Sequence, residues 1–329
     1  MNITNRTIAV LGANGRMGDA AARAFKAAGW QVRAVTRTGK SNIAGVEGVA
    51  ADAMIEADLI RATEGCAFIF NGLNPIYTDW KAKVMPMTRN VMAAALRNRA
   101  VHLYPGNVYN FGTAIPGTLD EDTPQCGDHQ KAALRMEAEA LFARMAREHG
   151  VQTVILRAGD FFGGKGRGAW FDLAIASKFS SGKIVYPGPR DIVHAWSYLP
   201  DLARGFVALA EEAGSLKTFE RFHFPGHNVT GAELHAAIEQ AAGRKLKPAG
   251  FPWPIFAIGA LFVPMWREIL IMRYLWLRPH RLTGARLASV IGTVPHTPLD
   301  EAVFTALGEL DLLPRAANVR QGALPSLAA

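Results

Sequence analysis

The chain has 329 residues, 50% of them hydrophobic and 19% charged, with a formal net charge of +8. That much apolar material builds a full core and excludes a wholly disordered chain. Its two cysteines, Cys66 and Cys126, make neither a disulfide framework nor a four-cysteine zinc site, and its basic residues are scattered rather than run together as in a nucleic-acid-binding arm.

In chain order, Met1–Arg6 is polar and the apolar run Ile8–Leu11 is too short for a signal peptide, so a cytoplasmic protein is expected. Thr7–Leu11 reads as a buried strand, Asp19–Ala28 as a helix closed by Gly29, and Gln31–Thr36 as a second strand. Gly48–Asp52 is a short third strand, Asp58–Thr63 a helix and Ala67–Asn71 a fourth strand. Val84–Ala100 is helical, Val101–Tyr104 a strand, Lys131–Gly150 a long helix and Val151–Leu156 a strand. This alternation predicts a doubly wound, parallel α/β sheet covered on both faces.

After residue 157 the pattern changes. Asp160–Gly168 is a Gly-rich, aromatic loop, a helix follows over Ala169–Ser180, and helices dominate from Gly231 onward. Phe251–Trp266 is the longest apolar stretch, but Pro252, Pro254 and Pro264 interrupt it and it falls short of the roughly 20 residues of a membrane span. It is expected to be a buried helix pair, with contact to a membrane surface as the alternative. The expected organisation is a dinucleotide-binding part over 1–157, with 190–225 returning to it, a substrate lobe over 158–315, and a loose tail over 316–329.

One motif carries chemistry. Gly12-Ala-Asn14-Gly15-Arg16-Met17-Gly18 follows a strand and opens a helix. Glycines there allow positive φ and let backbone approach a pyrophosphate, and the helix start offers free N–H groups and a positive dipole end. The second strand ends in Thr36-Arg37-Thr38-Gly39-Lys40, with no acid to take the adenine ribose hydroxyls. Arg37 and Lys40 suit a 2′-phosphate, so NADP(H) is preferred and NAD(H) remains possible.

The G-x-x-G-x-x-G spacing resembles the short-chain dehydrogenase/reductase superfamily, in its extended and atypical branches, which include proteins of the NAD-dependent epimerase/dehydratase kind. The resemblance runs to about residue 310. It implies that Asp52 and Ala53 cap the adenine and that Asn71-Gly72-Leu73-Asn74 lines the nicotinamide side. Gly106-Asn107-Val108-Tyr109 resembles the loop bearing the catalytic hydroxyl, and Arg157 with Asp160-Phe161-Phe162-Gly163 resembles the segment beside the nicotinamide. Trp196-Ser197-Tyr198-Leu199-Pro200-Asp201-Leu202-Ala203 and Gly292–Glu301 also resemble the extended branch.

The catalytic Tyr-x-x-x-Lys of that superfamily is absent from the helix where the resemblance puts it, Lys131–Gly150. Matching by Glu139 puts Lys131 at the Tyr position and Arg135 at the Lys position. Lys131 resembles the general base or acid of isoflavone-reductase-like members. Alternatively, Lys131, Arg135 and Glu139 at i, i+4, i+8 make an ordinary salt-bridged helix face. Tyr109 is a second candidate proton donor, otherwise a packed aromatic, and Asn107 belongs to the same loop. Tyr77, Trp80, Phe162, His194 and Trp196 are candidate substrate contacts, His194 at the pocket mouth. No metal is expected, since no His spacing of the HExxH kind occurs, and no Gly-x-Ser-x-Gly of a serine hydrolase is present.

The function read first is an NADP(H)-dependent oxidoreductase acting on a carbonyl or activated alkene of a small molecule. The alternatives are a sugar-nucleotide-type epimerase or dehydratase and a non-catalytic NADP(H) sensor resembling NmrA-type regulators. A monomer or homodimer is expected, with no nucleic-acid partner and no membrane span.

Overall fold

The computed structural model describes residues 5–313; the expected tail over 316–329 lies outside them. Apolar runs become the strands β1 (Thr7–Leu11), β2 (Gln31–Thr36), β3 (Glu47–Ala50), β4 (Phe68–Asn71), β5 (Val101–Gly106) and β6 (Thr153–Arg157). Between them stand the helices α1 (Arg16–Ala27), α2 (Glu56–Ala62), α3 (Trp80–Asn98) and α4 (Gln130–His149). β7 (Asp160–Phe162), α5 (Trp170–Leu173), β8 (Lys183–Tyr186), β9 (Val193–Tyr198), α6 (Leu199–Glu211) and β10 (Phe219–His223) follow. The chain ends in β11 (His227–Thr230), α7 (Gly231–Ala242), β12 (Lys247–Gly250), α8 (Trp253–Gly259), α9 (Pro264–Ile271), α10 (Tyr274–Leu277), α11 (Ala285–Ile291) and α12 (Leu299–Glu309).

Seven strands form one sheet in the order β10-β6-β5-β4-β1-β2-β3, all parallel. Because both faces are covered, β1, β4 and β6 carry unbroken apolar runs rather than alternating, with polar residues only at their ends. One layer packs α2, α3 and α4 on one face, the other packs α1 and α6 on the opposite face. Strand order reverses at β1, so β1 and β4 diverge beyond their carboxyl ends and open the crevice where ligands of such sheets bind.

Two small sheets, β11-β9-β7 and β12-β8, build a third core around Phe162, Trp196 and Trp276. Asp160–Phe162, read from sequence as loop, is a strand because its backbone pairs with β9. The helix expected over Ala169–Ser180 is broken into α5 and a 3₁₀ turn, Ile175–Ser181, with Lys178 at φ −113°, ψ 17°. Phe251–Trp266 does form a helix pair, but not a buried one: Ile258 and Phe262 are 68% and 81% exposed.

Candidate active site

At the end of β1 the chain turns through Gly12 (φ +70°), whose carbonyl accepts from the Gly15 N–H at 2.8 Å. A Cβ at Gly12 would stand 3.0 Å from the Gly72 carbonyl oxygen, and one at Gly18 only 2.2 Å from that of Gly12. The first turn of α1 is thus pressed onto β1 and the exit of β4, and only glycine fits. Gly15 opens α1 without a side-chain cap, while Met17 and Gly18 are buried in its first turn. An uncapped helix start behind a glycine cradle fits a dinucleotide pyrophosphate. Asn14 ties this turn to the loop after β2: its Nδ2 donates to the Lys40 carbonyl (2.9 Å) and its Oδ1 accepts from the Asn42 N–H (3.2 Å). Arg37 and Lys40 are exposed on that loop.

Arg16 leans away from the turn. Its guanidinium reaches buried Asp172 (2.7 Å) and the Gly163 carbonyl (2.7 Å). Asp52 accepts from the Met54 N–H, and buried Ala53 accepts from Asn90, both beyond β3.

Beyond β4, Asn71 meets His102 (3.3 Å) and accepts from the Leu73 N–H (3.4 Å), which fixes the backbone at Gly72. Beyond β5, Asn107 accepts from the Tyr109 N–H (3.1 Å) and caps a 3₁₀ turn, Val108–Phe111. That turn buries Tyr109, whose hydroxyl is 2.7 Å from the Tyr77 hydroxyl. Burial raises both phenols above their ordinary range, Tyr109 most, and nearby Asp160 adds to it. Both therefore stay protonated at neutral pH and act as hydrogen-bond donors, not bases.

The three residues in a row on α4 do not form a solvated face: all are buried and each meets a partner elsewhere. His129 caps the helix by accepting from the Ala132 N–H (3.3 Å). Lys131, 2% exposed, contacts the carboxylate of Glu268 on α9, stands 3.3 Å from the Glu268 carbonyl, and lies 4.9 Å from the Tyr77 ring centre. Arg135 donates to the Tyr104 hydroxyl and to Asn74 Oδ1 (3.2 Å), with its guanidinium 4.5 Å above the Trp80 ring. A small pocket lined by Asn71, Leu73, Asn74, Tyr104 and Arg135 opens there.

Glu139 holds Arg157 through two bonds (2.7 and 2.9 Å) and also accepts from Asn110 and Gln125. Burial pushes the Glu139 carboxyl up, but Arg157 and the donated hydrogen bonds outweigh it, so it lies below its ordinary value. Arg157, expected beside the cofactor, also donates to the Asn107 carbonyl in the loop after β5.

The structure thus brings Tyr77, Tyr109, Lys131 and Asn74 together at the carboxyl edge, and Trp80 forms the floor beneath them, donating to the Pro75 carbonyl (2.9 Å). It does not put His194 at a pocket mouth: His194 is 2% exposed, bonded to Asp160 (2.8 Å) and stacked on Trp276 (4.4 Å). Phe162 and Trp196 are wholly buried core residues, while Phe161 is half-buried. Sequence reasoning missed Glu268 and Asp172. Glu268 had a signal: it is the only acid between Phe251 and Arg281. Asp172 had none, since its partner Arg16 is far away in sequence. Among the described residues no group of His, Cys, Asp and Glu is arranged to hold a metal.

The model of the NAD dependent epimerase/dehydratase family matches residues 8–223. No curated protein matches the chain in sequence. Among solved structures, UDP-N-acetylglucosamine 4-epimerase from Bacillus cereus is similar with a TM-score of 0.70 at 15% identity, covering 93% of this chain and 99% of that one. UDP-glucose 4-epimerase from Brucella ovis, in complex with NAD, gives 0.72 at 15% identity, with 92% and 98% covered. UDP-glucuronic acid 4-epimerase from Bacillus cereus, in complex with NAD, gives 0.73 at 14% identity, with 94% and 97% covered. At these identities the likeness is one of fold.

Proposed function

We propose, from the premise that this chain belongs to the NAD dependent epimerase/dehydratase family, that it is an NAD(P)-dependent enzyme of the sugar-nucleotide epimerase or dehydratase type. Its proton-exchanging group is then the Lys131–Glu268 pair rather than a tyrosine. Family membership favours this over the carbonyl or alkene reductase that the sequence put first. The single observation that carries the proton-exchange role is the buried Lys131 amine at the start of α4, beside Tyr77 and in contact with a carboxylate from α9.

The turn Gly12–Gly18 would hold the pyrophosphate, Arg37 and Lys40 a 2′-phosphate, Asp52 and Ala53 the adenine, and Asn71–Asn74 the nicotinamide side. NADP(H) is preferred on the charge of Arg37 and Lys40. When bound, the dinucleotide supplies the acceptor, and in return the donor, of a hydride. Lys131 donates to a substrate hydroxyl, whose proton is relayed through its ammonium to the Glu268 carboxylate as a carbonyl forms and comes back the same way when the alcohol is restored. Tyr109 and Tyr77 are kept protonated by burial; one hydroxyl donates to the other, and the second donates a hydrogen bond to the same substrate oxygen. Arg135 supplies a fixed positive charge where the resemblance puts a lysine.

The test is turnover of a panel of UDP-sugars, read as epimer or dehydration product by NMR. Lys131→Ala should cut turnover by about 100-fold or more while dinucleotide binding, read by native mass spectrometry, is kept. Unchanged turnover overturns the assignment of Lys131. Oxidation of NADPH by simple carbonyls, with no UDP-sugar converted, returns the reading to a reductase.

A further inference from the structure

We propose that the hairpin of α8 and α9 docks the protein on an anionic lipid surface. Its inner face is filled. Phe256 stacks on Trp266 at 4.5 Å, and a Cβ on Gly259 would stand 2.1 Å from the Trp266 ring, so the two helices are closed tightly on each other. The outer face keeps large apolar side chains in solvent: Ile255, Ile258, Leu261 and Phe262 are 60%, 68%, 74% and 81% exposed. Four such neighbours along one hairpin form a patch rather than the scattered apolar residues of an ordinary surface.

Charge selects the occupant. Between Phe251 and Arg281 the only acid, Glu268, is turned inward onto Lys131. Arg267 reaches the Ala260 carbonyl at the hairpin turn, and Arg273 lies 5.4 Å above the ring of Trp253, the first residue of α8. Both are exposed, and neither pairs with a carboxylate among the described residues. Apolar tips between unpaired guanidiniums are what an interfacial helix presents to acidic headgroups, with the arginine stems lying along the apolar surface. A second copy of the chain on this face would bring the arginines of two identical patches together and is disfavoured. A nucleic acid would satisfy the arginines but leave Leu261 and Phe262 in water. No helix of the described residues is long and apolar enough to cross a membrane, and α8 and α9 have seven and eight residues, so the hairpin lies on the surface.

The test is flotation of the full chain with vesicles of phosphatidylglycerol and phosphatidylcholine against vesicles of phosphatidylcholine alone, and it is independent of the catalytic reading. Binding is expected to the mixed vesicles, to fall about tenfold or more without the anionic lipid, and to weaken with salt. The double variant L261D/F262D, with both changes at exposed positions, should lose binding to the mixed vesicles with its circular dichroism and melting unchanged. The double variant R267E/R273E should lose the preference for anionic lipid. Three results overturn the proposal: no binding of the unaltered chain to mixed vesicles, undiminished binding of L261D/F262D, or a dimer that L261D/F262D turns into a monomer, which makes the face an interface between copies.

Discussion

In the proposed site the choice of cofactor falls to single charged side chains, Arg37 first among them. It is exposed beyond β2, on a loop fastened to the phosphate turn by Asn14. On the proposed reading a guanidinium there would meet the 2′-phosphate of NADPH, a group that NADH lacks. Arg37→Asp replaces that attraction with repulsion. It should weaken NADPH by at least about tenfold relative to NADH, since charge-assisted bonds are worth roughly 1.5–3 kcal/mol. Fluorescence titration of both dinucleotides measures this. The same ratio of affinities in both proteins sinks the NADP preference.

Elements fix the site through contacts that cross between them, and these were the least legible in the sequence. β1 and β4 were readable because strands buried on both faces are apolar through most of their length. The glycine turn was readable because Gly12 and Gly18 answer a local steric demand. Asp160–Phe162 was not, because its pairing with β9 is a property of two distant segments. Nor was the exposure of α8 and α9, because hydropathy reports what prefers burial and not which element is there to cover it. Arg157 was read as a cofactor neighbour by resemblance; its pairing with Glu139, which fastens α4 to β6, had no signal in the sequence. Removing one member of a pair this deeply buried strands a charge, at a cost of roughly 3 kcal/mol. Glu139→Gln should therefore lower unfolding free energy in urea by about that amount. A loss below about 1 kcal/mol would mean that water reaches the pair and that α4 is held to β6 by packing alone.

Across the whole molecule, buried histidines tie folding to pH. His102 sits in the sheet between Asn71 and Thr153, and burial depresses it to about 3. His280 is depressed to about 3 by burial and then by His194; His223 and His227 are depressed to about 4, burial again the largest cause. All four stay neutral in the fold, while in the unfolded chain they take up protons near the ordinary histidine value of about 6.5. Below that value the unfolded state binds more protons, so stability rises with pH up to about 6.5 and is flat above it. As pH falls from about 6.5 toward 4, each histidine withdraws up to ~1.4 kcal/mol per pH unit. Glu309, raised by burial, acts in the opposite sense, one group against five, since burial lowers His129 as well. Glu139, held low, acts only below the ordinary carboxylate range. The urea midpoint should then be constant between about pH 7 and 8 and drop steeply between about 6 and 5. In His102→Gln, which keeps polar partners for Asn71 and Thr153 but cannot titrate, that drop should be shallower by one histidine's share. An unaltered slope would mean that water enters the sheet centre and protonates His102 in the folded state.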